Sequence, residues 1–224
     1  MIFSHANTQI HKNSNTSFLS SPMKNSIDTI VFDLGGVLID WNPRYVYRTI
    51  FDTDEEVESF LANVCVSSWN EEQDRGRTLK EGTEFLVEKH PEWEKEIRAF
   101  YDRWPEMLGG PIHGSVDILE SLKMGKNYRL YALTNWSDET FPLALGRYDF
   151  LHWFEGILVS GKEKLIKPDP AIYQLLFERF KIEPAKSIFI DDSLKNVEGA
   201  KAAGMHAIHF RSPMQMREEL AELL

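Results

Sequence analysis

The feature that most constrains this chain is a recurring unit: a short apolar run that stops at a polar residue, then a helix-length stretch, then another such run. Ile30–Asp33, Arg129–Leu133, Gly156–Ser160, Ser187–Asp191 and His206–Phe210 have this form and read as buried strands. Helical patterns cover Asp138–Leu145, Asp169–Phe180 and Lys195–Ala203, and Pro213–Leu224 reads as an amphipathic closing helix. Strands joined by helices run parallel, because a parallel neighbour needs a long crossover. The expected fold class is therefore α/β: a three-layer, Rossmann-like parallel sheet with helices on both faces. At 224 residues the chain buries enough surface to need no covalent staples.

The alternation breaks once. Between the first and second strands lie about 80 residues without a comparable apolar run. Thr78-Leu-Lys-Glu81 is a capping box leading an amphipathic stretch to Lys89. Trp93–Met107 has helical spacing that Pro105 should end, and Gly109-Gly110-Pro111 is a strong breaker. This predicts a helical cap over 43–111, inserted into a core made of 23–42 and 112–224. Residues 1–22 are rich in Ser and Asn and contain no Asp or Glu, so they are expected to be a disordered extension. They lack the apolar segment of a signal peptide and the Arg of a transit peptide.

Charge and composition remove several functions. Asp and Glu number 35 against 25 Lys and Arg, a net −10, which argues against a non-specific nucleic-acid binder. Most of the excess sits in 51–110, with 16 acidic and 7 basic residues, and would disfavour polyanions near any site it covers. No stretch approaches the roughly 18 apolar residues of a membrane span. The single cysteine, Cys65, allows no internal disulfide and fits a reducing, cytoplasmic location. No pair among the seven histidines has metal-ligand spacing; His206 and His209 should point to opposite faces of their strand.

In open α/β sheets chemistry gathers beyond the carboxyl ends of the strands. There this chain places Asp33 with Gly35 and Gly36, Thr134 with Asn135, and Asp191 with Asp192; Lys167 precedes Pro168 in a loop. Singly, each has an ordinary reading as a cap, a turn or a surface lysine. Together they suggest more. Three carboxylates at one edge repel unless a cation joins them, and oxygen donors at that density suit Mg²⁺ with open positions for water and phosphate. Asp33 could then be a nucleophile, with Lys167 and Thr134 holding the phosphate and the two glycines allowing close backbone approach.

These segments resemble the haloacid dehalogenase superfamily of hydrolases over about residues 28–212. FDLGGVLID is similar to its first motif, LTN to its second, KPDPAIY to its third and FIDDSLKNVEGAKAAG to its fourth. The helical insert resembles the small α-helical cap of the phosphatase-like branch, which closes over the site and selects the substrate. The resemblance implies that Asp33 attacks phosphorus and binds Mg²⁺. It implies Asp191, Asp192 and the Gly35 carbonyl as further metal ligands. Gly36, Thr134, Asn135 and Lys167 would hold the phosphoryl group of a small phosphorylated metabolite. Asn196 would orient the fourth-motif loop, or simply pack its helix. Arg75 is the cap residue singled out to touch substrate. Trp41 and Trp136 follow two motif segments and are candidates for pocket walls, as is Trp69 from the cap, with packing as the alternative for all three.

One position departs from the family pattern. Where the usual first motif has a second Asp, which protonates the leaving group and later activates water, this chain has Gly35. Such a group contributes about 10²–10⁴-fold. As for a replacement, the resemblance implies that Asp40 instead helps shape the entry to the cap, and Asp74 could reach the site only if the cap brings it there. Substrates with good leaving groups, such as sugar 1-phosphates or acyl phosphates, need the missing acid least. Two other readings stand beside the phosphatase. One is a 2-haloacid dehalogenase, in which Asp33 attacks carbon. The acidic pair Asp191-Asp192 opposes it, as does the lack of an aromatic residue two positions after Asp33. The other is a phosphate-binding regulator that has lost turnover, which would not need a nucleophile.

Overall fold

Ile30, Val31 and Phe32 are completely buried, so the first strand is covered on both faces, as the centre of a parallel sheet must be. The structure, a computed structural model, describes residues 27–224 together with Met1 and Ile2; the expected N-terminal extension otherwise lies outside the described residues. In chain order the elements are β1 (Thr29–Phe32), β2 (Ile39–Trp41), α1 (Arg44–Tyr47), α2 (Asp54–Asn63), α3 (Ser67–Asp74), α4 (Leu79–Lys89) and α5 (Glu94–Asp102). There follow β3 (Leu108–Pro111), α6 (His113–Gly125), β4 (Arg129–Thr134), α7 (Phe141–Arg147), β5 (Gly156–Val159) and α8 (Ser160–Glu163). The chain ends with α9 (Pro170–Phe180), β6 (Ser187–Asp191), α10 (Leu194–Ala202), β7 (His206–His209) and α11 (Pro213–Leu223).

Five strands form one parallel sheet in the order β5-β4-β1-β6-β7. Alternate residues feed two cores. Ile30, Phe32, Leu130 and Ile190 join one with Leu119 of α6 and Met216 of α11. Val31, Leu133 and Phe189 join the other with Ile172 and Leu176 of α9 and Ala200 of α10. This is the period of two expected of strands, and it produces the three-layer α/β/α architecture that the sequence predicts.

Helices α1–α5 all lie between β2 and β3, an antiparallel pair with an irregularity at Asp40/Trp41. This ribbon is absent from the sequence reading. Its strands carry an Asp and two glycines and are too short to alternate visibly, so only tertiary pairing reveals them. The Tyr47, Phe60 and Phe100 side chains pack together among these helices and belong to the same core as Phe32. The capping box at Thr78 forms as expected: its hydroxyl accepts from the Glu81 N–H and the Glu81 carboxylate accepts from the Thr78 N–H.

Boundaries move where proline acts. The helix expected over Trp93–Met107 runs only from Glu94 to Asp102; Pro105 belongs to a separate tight turn, Trp104–Met107. The helix expected over Asp138–Leu145 begins at Phe141, where Pro142 fits the first turn because its missing N–H would be unpartnered there anyway. Ser137–Thr140 is thereby freed as a loop at the end of β4.

Candidate active site

The parallel register brings the ends of β1, β4 and β6 side by side: Phe32 pairs with Ala132 and with Ile190. Asp33, Asn135 and Asp192 are thus the first residues beyond three neighbouring strands. The loop before α9 inserts Lys167 beneath them, completely buried. Its Nζ donates to Asp191 Oδ2 at 2.6 Å and to the Leu133 carbonyl at 2.9 Å, and lies 2.9 Å from Asp33 Oδ1. The Asn135 side chain fixes that loop. Its Oδ1 accepts from the Lys167 N–H at 2.8 Å and its Nδ2 donates to the Lys167 carbonyl at 3.1 Å.

The carboxylates are held as firmly. Asp33 Oδ1 accepts from the Leu34 N–H at 2.7 Å, so this oxygen is occupied twice; among the described residues Oδ2 accepts no hydrogen bond. Asp191 Oδ1 accepts from the Ser193 N–H at 2.8 Å, and Asn196 Nδ2 reaches both Asp191 oxygens, at 3.0 and 3.1 Å. Asn196 therefore orients the β6–α10 loop, the first of the two readings open for it. Gly36 has φ +73°, and a Cβ there would collide with the Asp192 carboxylate. Only glycine lets the β1 loop and the β6 loop come this close.

Charge at the site is unbalanced. Oxygens of Asp33, Asp191 and Asp192 lie within 4.8 Å of one another. Lys167 touches the first two; among the described residues no Lys or Arg nitrogen comes within 4.0 Å of Asp192. Burial pushes the Asp33 carboxyl up to about 8; Lys167 pulls it back, and Asp191 raises it further. Burial opposes the Lys167 charge too, but Asp191 and Asp33 outweigh it and hold the ammonium above its usual range. A surplus of converging carboxylate oxygens with one cation among them is a donor set that fits a hard divalent metal.

Two cavities with shared walls open on this edge. The smaller, about 90 Å³, is walled by Gly35, Asn135, Trp136, Ser137 and Thr140 from the sheet side and by Asn70, Asp74, Tyr101 and Trp104 from the helical insert, with Trp41 between them. The larger, about 470 Å³, shares Trp41, Asn70, Asp74 and Asn135 and extends over Asp192, Asn196 and Lys195. Trp41 and Trp136 do line the pocket. Trp69 does not: its Nε1 donates to the Gly82 carbonyl at 2.8 Å and its ring packs on Phe100 and Tyr101 inside the insert.

Asp33, Gly35, Gly36, Thr134, Asn135, Lys167, Asp191 and Asp192 all gather at this one edge of the sheet. Arg75 does not join them. It caps α3 at the surface with its Nε 3.7 Å from Glu72, and it lines neither cavity. The residue before it, Asp74, points inward instead. One further neighbour had no signal in the sequence: His209 at the end of β7, whose Nε2 lies 2.9 Å from the Asp192 carbonyl. Strand order alone puts it there.

Comparison with known proteins agrees with this geometry. The family of haloacid dehalogenase-like hydrolases matches residues 27–204, and the chain belongs to that family. It is similar to a sesquiterpene phosphatase, astK, of Aspergillus oryzae, at 28% identity over 87% of this chain and 95% of that one. It is also similar to a phosphorylated carbohydrates phosphatase of Thermotoga maritima, at 27% identity over 82% and 84%. Among solved structures it resembles a HAD family enzyme of Bacteroides thetaiotaomicron in complex with magnesium and inorganic phosphate. The TM-score is 0.62 and the identity 25%, over 84% of this chain and 96% of that one.

Proposed function

We propose that this protein hydrolyses small phosphomonoesters through an aspartyl-phosphate on Asp33, with Mg²⁺ as cofactor. The observation that carries the reading is the pinned nucleophile: Lys167 Nζ and the Leu34 N–H hold one Asp33 oxygen at 2.9 and 2.7 Å, and among the described residues none donates to the other. A carboxylate fixed by one oxygen is aligned for in-line attack by the second. Asp33, Asp191, Asp192 and the Gly35 carbonyl would hold Mg²⁺, which when bound supplies charge neutralisation for the phosphoryl group. Thr134, the Asn135 and Gly36 backbone and Lys167 would bind the phosphoryl oxygens. The names of the two phosphatase relatives and the magnesium and phosphate of the Bacteroides structure support this reading.

In this reading 23–42 and 112–224 form the catalytic core and 43–111 a cap whose aromatic walls choose the substrate, in a cytoplasmic enzyme acting on a small phosphorylated metabolite. Phosphate release from sugar, acyl and alkyl phosphates, with Mg²⁺ or with EDTA, tests it. Wild type should release phosphate only with the metal, and Asp33→Asn should fall to background. Release of halide from 2-haloacids, with no phosphate from any ester, would instead favour attack on carbon.

A further inference from the structure

We infer that Asp74, delivered by the last turn of α3, is the general acid and base of this enzyme, in place of the carboxylate missing at position 35; the assignment rests on the phosphatase reading. Three observations on the structure lead to it.

The first is space. A Cβ built on Gly35 meets nothing within 4 Å, so the side-chain position beside the nucleophile is open and forms part of the smaller cavity. The second is what faces that space. Among the described residues, Asp74 is the only carboxylic acid lining the smaller cavity, which Gly35 and Asn135 line as well. The third is rigidity. The Asp74 carbonyl accepts from Ser160 Oγ at 2.5 Å, which clasps the end of α3 to the start of α8 just beyond β5. Its carboxylate accepts from Asn70 Nδ2 at 3.1 Å. The end of α3 that carries Asp74 is therefore held against the strand ends, with the carboxylate tied to Asn70 one turn earlier on the same helix.

Its proton affinity suits the role. Burial pushes the carboxyl up to about 7; the Ser137 N–H opposes this, Glu71 on the same helix adds to it, and Lys167 from the core lowers it. Tyr101 of α5 also faces it. An acid near neutrality is half-protonated at working pH and can both give and take a proton.

The steps balance. Asp33 Oδ2 attacks phosphorus, the bond to the ester oxygen breaks, and that oxygen leaves with the electron pair and takes the Asp74 proton. Asp74, now a carboxylate, removes a proton from water as the water oxygen attacks phosphorus. The Asp33–phosphorus bond breaks, inorganic phosphate leaves, and both aspartates return to their starting states.

The test is leaving-group dependence. With Asp74→Asn, kcat/KM for an alkyl phosphate should fall about 10²–10⁴-fold, while that for p-nitrophenyl phosphate, whose leaving group needs no proton, should fall less than about tenfold. Adding Gly35→Asp to that variant should restore the alkyl ester. In the wild type alone, kcat/KM for the alkyl ester should decline above about pH 7 and that for the aryl ester should not; this reading needs no folded variant. Equal losses on both esters, or no loss on either, overturn the assignment and leave Asp74 a positioning residue. A wild type inert on every phosphate ester, including the aryl one, overturns the phosphatase reading itself.

Discussion

At the scale of single residues, this site is an exercise in crowded charge. Lys167 is fully buried and contacts two carboxylates, Asp33 and Asp191. A buried ion pair compensates its desolvation only when the geometry is good and the remaining valences are filled. Here Leu133, Leu34, Ser193 and Asn196 fill them. The remaining imbalance has a sign that can be measured. Asp33 is raised to about 8 and Asp74 to about 7, from 3.8. Between the ordinary and the raised values the folded protein binds more protons than the unfolded chain, so stability falls as pH rises. Their contribution is fully present below about pH 4 and is lost as pH passes through about 7 to 8. In EDTA, Tm should therefore drop from about pH 5 to about pH 8, and Mg²⁺ should raise Tm more at the higher pH, where the carboxylates are charged. A thermal melt series checks this; a Tm in EDTA that rises across that window contradicts the charge assignment.

At the scale of elements, the start of α8 packs backbone against backbone on the loop after β4. A Cβ on Gly161 would lie 2.5 Å from the Asp138 amide nitrogen and 2.9 Å from the Trp136 carbonyl. These are backbone atoms of a loop that also carries Ser137 and follows Asn135, so they yield only by moving cavity walls. Helix propensity favours alanine over glycine by about 1 kcal/mol, but forced overpacking costs typically about 1–3 kcal/mol. The clash should win. Gly161→Ala is expected to lower the urea midpoint and to reduce kcat on aryl phosphates as well as alkyl ones, since the Trp136–Ser137 wall shifts whatever the leaving group. An unchanged midpoint with unchanged kcat would show that the loop has slack. The Asp74 clasp through Ser160 belongs to this same junction, one of several contacts that join insert and sheet.

At the scale of the whole molecule, the charge excess is concentrated in the segment that includes the helical insert, which helps wall the cavities. The chain carries net −10, and 51–110 holds 16 acidic against 7 basic residues. Such a field slows the approach of polyanions and is screened by salt. Raising salt from about 20 to about 200 mM should raise kcat/KM for a sugar bisphosphate several-fold relative to a monophosphate. Equal salt responses would mean that the insert's charges do not reach the opening. The strand pattern was legible because a strand buried on both faces must be apolar throughout, and Ile30, Val31 and Phe32 are. The strand-end cluster was legible because Asp33, Thr134, Lys167, Asp191 and Asp192 are polar residues at or beside the ends of apolar runs, and a parallel sheet brings such ends together. The β2–β3 ribbon was not legible, since its pairing is carried by backbone hydrogen bonds between segments far apart in the chain. Nor was the choice between Arg75 and Asp74. Adjacent residues on a helix point about 100° apart, and only the packing of α3 against Ser160 decides which one enters the cavity. The sequence by itself determined the parallel core and the family of hydrolases to which the chain belongs, because both rest on local residue types. Which residue of the helical insert meets the strand-end cavity, and where His209 lies, follow from the tertiary structure alone, because those are matters of orientation between elements that no local pattern encodes.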